Sequence, residues 1–212
     1  MPELTRLHDS ILSGDHKTAI AVTREAIDAG VDAMELVTGY MVPAMDEVGR
    51  RFECEEYFVP ELLLSARAMK GALQLLRPLL AAEGARSAGR VVIGTVKGDL
   101  HDIGKNIVGA MLEGGGFEVI DLGADVPPQA FVDAVKERQP QLVCLSALLT
   151  VTMPSMKATI DALEQAGVRG SVKVLVGGAP VTPEFARQIG ADGCGENAAL
   201  AVTLARKVLQ AA

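Results

Sequence analysis

Tryptophan is missing from this 212-residue chain, aromatic residues make up 3% of it, and only three histidines and three cysteines occur. So few aromatics beside plentiful Ala, Leu, Val and Gly argue against an all-β sandwich. They suit helices packed closely on one another and on a parallel sheet. Cys54, Cys144 and Cys194 are odd in number and far apart, without metal-type spacing, which fits a reducing compartment rather than a disulfide scaffold. A basic excess is missing too. The formal net charge of −7 makes nucleic acid a poor partner, because duplex binding rests on neutralising phosphates with Lys and Arg. No run approaches the roughly 18 apolar residues of a membrane span. Met1-Pro2-Glu3-Leu4-Thr5 lacks the basic-then-apolar order of a secretory signal. The expectation is a soluble, cytoplasmic protein with no membrane partner. What the chain does have is 49% apolar residues, core enough for one large domain or two small ones.

Two periodicities divide it. Residues 1–82 read as successive helices. Leu4, Leu7, Ile11 and Leu12 form a stripe ending near Gly14, and Asp15 can cap a second helix through Ala19, Val22, Ala26 and Ile27. Asp32 with Glu35 resembles a capping arrangement for a third helix, which Gly39 and Pro43 should bend or break. Pro60 suits the first turn of a fourth, from Glu61 to about Leu80. Short links make a four-helix bundle the economical packing. Residues 83–89 have linker composition. Over 90–212, β-rich apolar runs at 91–95, 118–121, 142–145 and 172–176 and a very short one near Cys194 alternate with amphipathic helical stretches. That alternation predicts an α/β domain with a doubly wound, flavodoxin-like (Rossmann-like), five-stranded parallel sheet.

In such a sheet ligands bind outside the carboxyl ends of the strands. The first strand runs into Asp99-Leu100-His101-Asp102-Ile103-Gly104, and no histidine occurs between His16 and His101 or beyond it. The third runs into Ser146-Ala147-Leu148-Leu149-Thr150-Val151-Thr152, the fourth into Gly177-Gly178, and the fifth into Cys194-Gly195. Each of these alone is also ordinary turn or capping chemistry. Together they place one imidazole and several small residues on one edge of the sheet. One His with one nearby carboxylate is too little for zinc. It is enough to give one ligand to a metal whose other positions come from a macrocycle, the carboxylate orienting the ring.

These motifs, in this order, resemble the signature of cobalamin-binding domains that hold the cofactor base-off. Thr95-Val96-Lys97-Gly98-Asp99 and Gly104-Lys105-Asn106-Ile107-Val108-Gly109 are similar to the methyltransferase-cognate branch. That branch includes the cobalamin-binding module of methionine synthase and the small corrinoid proteins of methylamine, methanol and methoxy-compound systems. Val48-Gly49-Arg50-Arg51-Phe52 and Tyr57-Phe58-Val59-Pro60-Glu61-Leu62 resemble the helical cap of the same proteins, so the likeness spans nearly the whole chain.

The resemblance implies a corrinoid such as cobalamin (in its methylcobalamin and cob(I)alamin states), with His101 as axial cobalt ligand and Asp99 bonded to its far nitrogen. Thr152 would complete that group, where better-known members carry Ser. Asp102, Ile103 and Gly104 belong to the same motif. Ser146, Leu148, Thr150, Gly177, Gly178 and Cys194 would border the displaced nucleotide tail, Cys194 standing where relatives often have Tyr. Phe52, Val59 and Leu62 would shield the reactive face. The implied function is a methyl carrier between a substrate-specific methyltransferase and an acceptor methyltransferase using folate or a thiol coenzyme, serviced by a reductive activation protein and not catalytic alone. The alternatives are a cobalamin-dependent sensor, which usually adds a DNA-binding head, and the small subunit of an adenosylcobalamin mutase, which normally lacks the cap. The methyl source, whether methylamine, methanol, methoxylated aromatic or betaine, stays open.

Overall fold

A computed structural model describes residues 3–82 and 88–210. The chain divides into two compact units, Met1–Ser87 with Ala110–Gly116, and Ala88–Gly109 with Phe117–Ala212. Most of the expected linker (83–87) lies outside the described residues. The end of the helix Ile103–Gly114 falls in the first unit: Lys70 pairs with Glu113 at 2.7 Å, and a Cβ on Gly114 would come within 2.9 Å of the Met45 methyl.

The first unit is helical, with α1 (Thr5–Leu12), α2 (His16–Asp28), α3 (Ala33–Leu36), α4 (Val42–Glu53) and α5 (Val59–Ala82). Asp15 caps α2 by accepting the Thr18 N–H, and Asp32 caps α3 by accepting the Glu35 N–H at 2.7 Å. The helix expected to bend or break at Gly39 and Pro43 is continuous but irregular there. A π turn, Val37–Met41, carries α3 directly into α4, and Pro43 falls in the first turn of α4, where its missing donor costs little. Four helical rods result. On α5, Leu62, Ala66, Met69, Leu73 and Leu76 form one buried stripe at helical spacing, and α5 packs on α2.

The second unit holds five parallel strands, β1 (Arg90–Thr95), β2 (Glu118–Asp121), β3 (Leu142–Ser146), β4 (Lys173–Gly177) and β5 (Gly193–Gly195), in the order β2-β1-β3-β4-β5. They are connected by α6 (Ile103–Gly114), α7 (Pro128–Arg138), α8 (Pro154–Gln165) and α9 (Pro183–Ile189), and α10 (Ala198–Gln210) follows β5. Successive strand side chains face opposite sides. Val92, Val143, Leu145, Val174 and Val176 therefore enter the core with Phe131, Met156 and Ile160, while Val91, Ile93, Leu142, Cys144 and Leu175 are buried on the other face. Burial pushes the Cys144 thiol up to about 12, so it is an inert core residue. The strand order reverses between β1 and β3, which is the switch point where this topology places ligands. Among the described residues no helix is long and apolar enough to cross a membrane.

Candidate functional site

Register sets the site. Thr95 pairs with Ser146, Ser146 with Gly177 and Gly177 with Gly195, so four strands end level in a row of small residues. The loops after β1 and β3 start side by side, tied by the Val96 N–H donating to the Ser146 carbonyl at 3.0 Å.

Asp99 sits where they meet, 1% exposed. One oxygen accepts the His101 N–H at 3.0 Å and lies 2.7 Å from His101 Nδ1. The other accepts the Leu148 N–H at 2.8 Å, the Leu149 N–H at 3.3 Å and the Thr152 hydroxyl at 2.7 Å. Burial by itself would raise the carboxyl's pKa. The hydrogen bonds from Thr152, from the His101 and Leu148 amides and from the His101 ring outweigh it and hold the group well below the usual carboxylate range. A neutral imidazole facing this ionised acceptor carries its proton on Nδ1, which leaves Nε2 with a free lone pair. The ring is half exposed. Asp99 thus fixes a tautomer of the neutral ring and a direction for its other nitrogen.

The loop that carries the pair is tied at nearly every step. The Asp99 N–H donates to the Val96 carbonyl, Thr95 Oγ1 to the His101 carbonyl and Ser155 Oγ to the Lys97 carbonyl. Asp102 accepts from the Asn106 side chain at 3.1 Å. Asn106 Oδ1 in turn accepts from the ammonium of Lys105, which is buried on α6 and also ion-paired with Asp121 at the end of β2. Sequence reasoning assigned Lys105 and Asp121 no part here, since a lysine in a helix reads as a solvated residue until its burial is seen.

Around His101, Leu100 and Ile103 are each 76% exposed and Val151 80%, with Leu148 and Leu149 partly exposed. Large apolar side chains left in water on one sheet edge mark a surface for a partner or ligand. Ser146 and Cys194 are half-buried at the strand ends, while Thr150 is exposed on the loop after β3. Burial first, then the Glu196 charge, raise the Cys194 thiol, which points to the Val181 carbonyl at 3.7 Å.

Gly178 is also needed by the chain itself: at φ +133° a Cβ there would lie 1.8 Å from the Ala147 carbonyl oxygen, and one on Gly177 3.0 Å from that of Gly195. Both glycines let protein backbone approach protein backbone. In the helical unit Phe52 is half-buried and Val59 exposed, but Leu62 has no exposed surface. It lies on the buried stripe of α5 and packs inside the helical unit.

A single directed imidazole nitrogen in an apolar rim fits a metal that brings its own equatorial ligands. Among the described residues no cluster of three or more His, Cys, Asp or Glu could hold a bare ion. Comparison with known proteins decides the matter: the B12 binding domain family matches residues 89–203, and a second family of the same description matches residues 3–77. The chain belongs to the B12-binding corrinoid proteins. Over 208 residues, 97% of its length and 96% of the relative's, it is 42% identical to trimethylamine corrinoid protein 1 of Methanosarcina acetivorans. A cobalamin-binding protein of Desulfitobacterium hafniense has a similar structure (TM-score 0.81, 36% identity, 98% of each chain covered). So does a chain of the methanol:cobalamin methyltransferase complex of Methanosarcina barkeri (TM-score 0.86, 31% identity, covering 99% of this chain and 81% of that one). The doubly wound sheet and the helical N-terminal unit are those of corrinoid proteins, and the ligand this family takes is cobalamin or a related corrinoid.

Proposed function

We propose that this chain carries methyl groups on a corrinoid bound base-off, with His101 as the axial cobalt ligand, between a substrate methyltransferase and an acceptor methyltransferase. When bound, the corrinoid supplies the metal that accepts and releases the methyl group. The observation that carries the reading is the Asp99–His101 pair, an ionised carboxylate holding one imidazole nitrogen at 2.7 Å and leaving the other to ligate.

The protein's own part follows from that geometry. Asp99 accepts a hydrogen bond from Nδ1 and so raises the donor strength of Nε2. A proton held at the Asp99–His101 pair would weaken the imidazole as a ligand, and a bound metal would disfavour that proton. Thr152, Leu148 and Leu149 hold the carboxylate ionised, which keeps the balance near the ligating side. Leu100, Ile103, Leu148 and Val151 offer exposed apolar surface on the loops that carry His101 and Thr152. Asp102 and Gly104 stand at the start of α6, Asp102 bonded to Asn106. Ser146, Thr150, Gly177, Gly178 and Cys194 are read as the border of the nucleotide tail. Phe52 and Val59 are read as apolar side chains that keep water from the reactive face.

The partners proposed are a methylamine- or methanol-type substrate methyltransferase, an acceptor methyltransferase and a reductive activation protein. The likeness to a trimethylamine corrinoid protein and to a chain of a methanol:cobalamin methyltransferase complex supports the first of these. Neither a sensor nor a mutase subunit is favoured by those relatives. The test is transfer of an isotope-labelled methyl group from trimethylamine or methanol to a thiol or folate acceptor, using cobalamin-loaded protein with and without each cognate methyltransferase. Transfer only with both partners present is expected. Turnover by this chain alone would overturn the carrier reading.

A further inference from the structure

Asp125 lies on the loop between β2 and α7, and it grips the His101 loop twice. Its Oδ1 accepts the Gly98 N–H at 2.8 Å, and its own N–H donates to the Asp99 carbonyl at 2.9 Å. To do both it adopts φ +53°, a left-handed conformation that costs most residues about 1 kcal/mol or more and that Asp tolerates. Gly98, its partner, has φ +86°. The strands place the two loops together: Val96 bridges Val126, the Thr95 N–H donates to the Gly123 carbonyl and the Val126 N–H to the Thr95 carbonyl. The Gly98 amide bond lowers the pKa of Asp125 against an opposing effect of burial, and Lys97 at 3.6 Å adds a smaller lowering, so the acceptor is a carboxylate at neutral pH.

We propose that Asp125 is a positioning residue for the ligand histidine. By holding both sides of the Gly98–Asp99 junction it fixes where the Asp99 carboxylate stands, and through it the direction of the imidazole. This rests on the reading of His101 as the axial ligand. The β3–α8 loop holds the Asp99 carboxylate, and Val96 holds its N–H from within the same loop. Asp125 adds a hold on the Asp99 carbonyl from a third segment, the loop between β2 and α7. Strain at a left-handed non-glycine residue persists where surrounding bonds over-determine it, and two bonds to one junction do so here.

The test compares wild type, Asp125→Gly, Asp125→Asn and His101→Ala, all loaded with cobalamin. Glycine keeps the left-handed conformation and loses the acceptor. Asparagine keeps both and loses only the charge toward Lys97. Asp125 is 44% exposed, so neither change opens a cavity. The readouts are the nitrogen superhyperfine splitting in the EPR spectrum of the reduced cobalt(II) form and the rate of cobalamin dissociation. In Asp125→Gly we expect a broadened, heterogeneous splitting and release about tenfold faster, at the low end of what loss of an outer-shell partner costs. Asp125→Asn should stay within about twofold of wild type. Wild-type line widths and release in Asp125→Gly would overturn the proposal, even if its melting temperature falls. Absence of nitrogen splitting in wild type, or its survival in His101→Ala, would overturn the ligand reading instead. Should Asp125→Gly fail to fold, amide exchange in the unmutated protein decides: protection of the Gly98 N–H is expected, and exchange at the unstructured rate refutes the clamp.

Discussion

Replacing Thr152 by Val isolates one of the bonds that keep Asp99 ionised. Valine has nearly the shape of threonine, so packing is kept while the hydroxyl is lost. That hydroxyl is 2.7 Å from Asp99 Oδ2 and 2.8 Å from the Leu149 carbonyl, but it has one proton. The ionised oxygen is the stronger acceptor, and the Leu149 carbonyl already receives the Thr152 N–H at 3.0 Å. A hydrogen bond to a buried charge is worth roughly 1.5–3 kcal/mol. Losing it moves the Asp99 carboxyl back up toward the usual carboxylate range. The folded value lies below the unfolded one, so the pair's stabilisation is fully present above the ordinary carboxylate range and is lost as pH falls through the folded value. Thr152→Val therefore loses about 2 kcal/mol at pH 7, a fall of about 1 M in the urea midpoint of the apo-protein. The deficit shrinks again in strong acid, where Asp99 is protonated in both proteins. Thr152→Ser keeps the donor and gives up one methyl group, about 0.8 kcal/mol. If Val costs no more than Ser at pH 7, the proton belongs to the Leu149 carbonyl and the backbone amides alone hold Asp99.

The sheet was legible because buried parallel strands are near-continuous apolar runs, and Val91–Thr95, Leu142–Leu145 and Val172–Val176 are such runs between amphipathic helices. From the strand ends came the site, since topology puts His101 and Thr152 on one edge wherever such strands lie. Side-chain direction and long-range partnership were not legible. Leu62 looked like any apolar residue near a loop, and only the stripe it shares with Ala66 and Met69 shows that it faces inward. Nothing in Gly177-Gly178 announces the contact that forbids a Cβ on Gly178, the Ala147 carbonyl, 31 residues earlier in the chain. The π turn at Val37–Met41 has no periodic signal, because one extra residue is absorbed without breaking the helix. Asp125 carried only a weak mark, an Asp two residues after Gly123, and its partner lies 27 residues away.

Two further outcomes test the packing around the site. Gly178→Ala puts a methyl group 1.8 Å from the Ala147 oxygen at φ +133°, so the chains after β3 and β4 must separate. A loss of about 3 kcal/mol and a melting temperature lower by roughly 6–12 °C are expected, and an unchanged melt would show that these loops yield freely. The Lys105–Asp121 pair should respond unequally to loss of either partner. The lysine side chain is 1% exposed and the aspartate 45%, so removing Asp121 strands a buried ammonium with Asn106 alone, whereas removing Lys105 leaves a carboxylate that water and the Gly123 N–H can satisfy. Asp121→Ala should cost about 3 kcal/mol or more, and Lys105→Met, which fills the space with an unbranched apolar chain, about 1 kcal/mol or less. Thermal melts of both and of the double variant distinguish the cases, because the double variant should recover most of the Asp121→Ala loss. Equal costs for the two single changes would mean that the pair behaves as a surface salt bridge, and that the buried end of the lysine does not fix the start of α6 as its contacts imply.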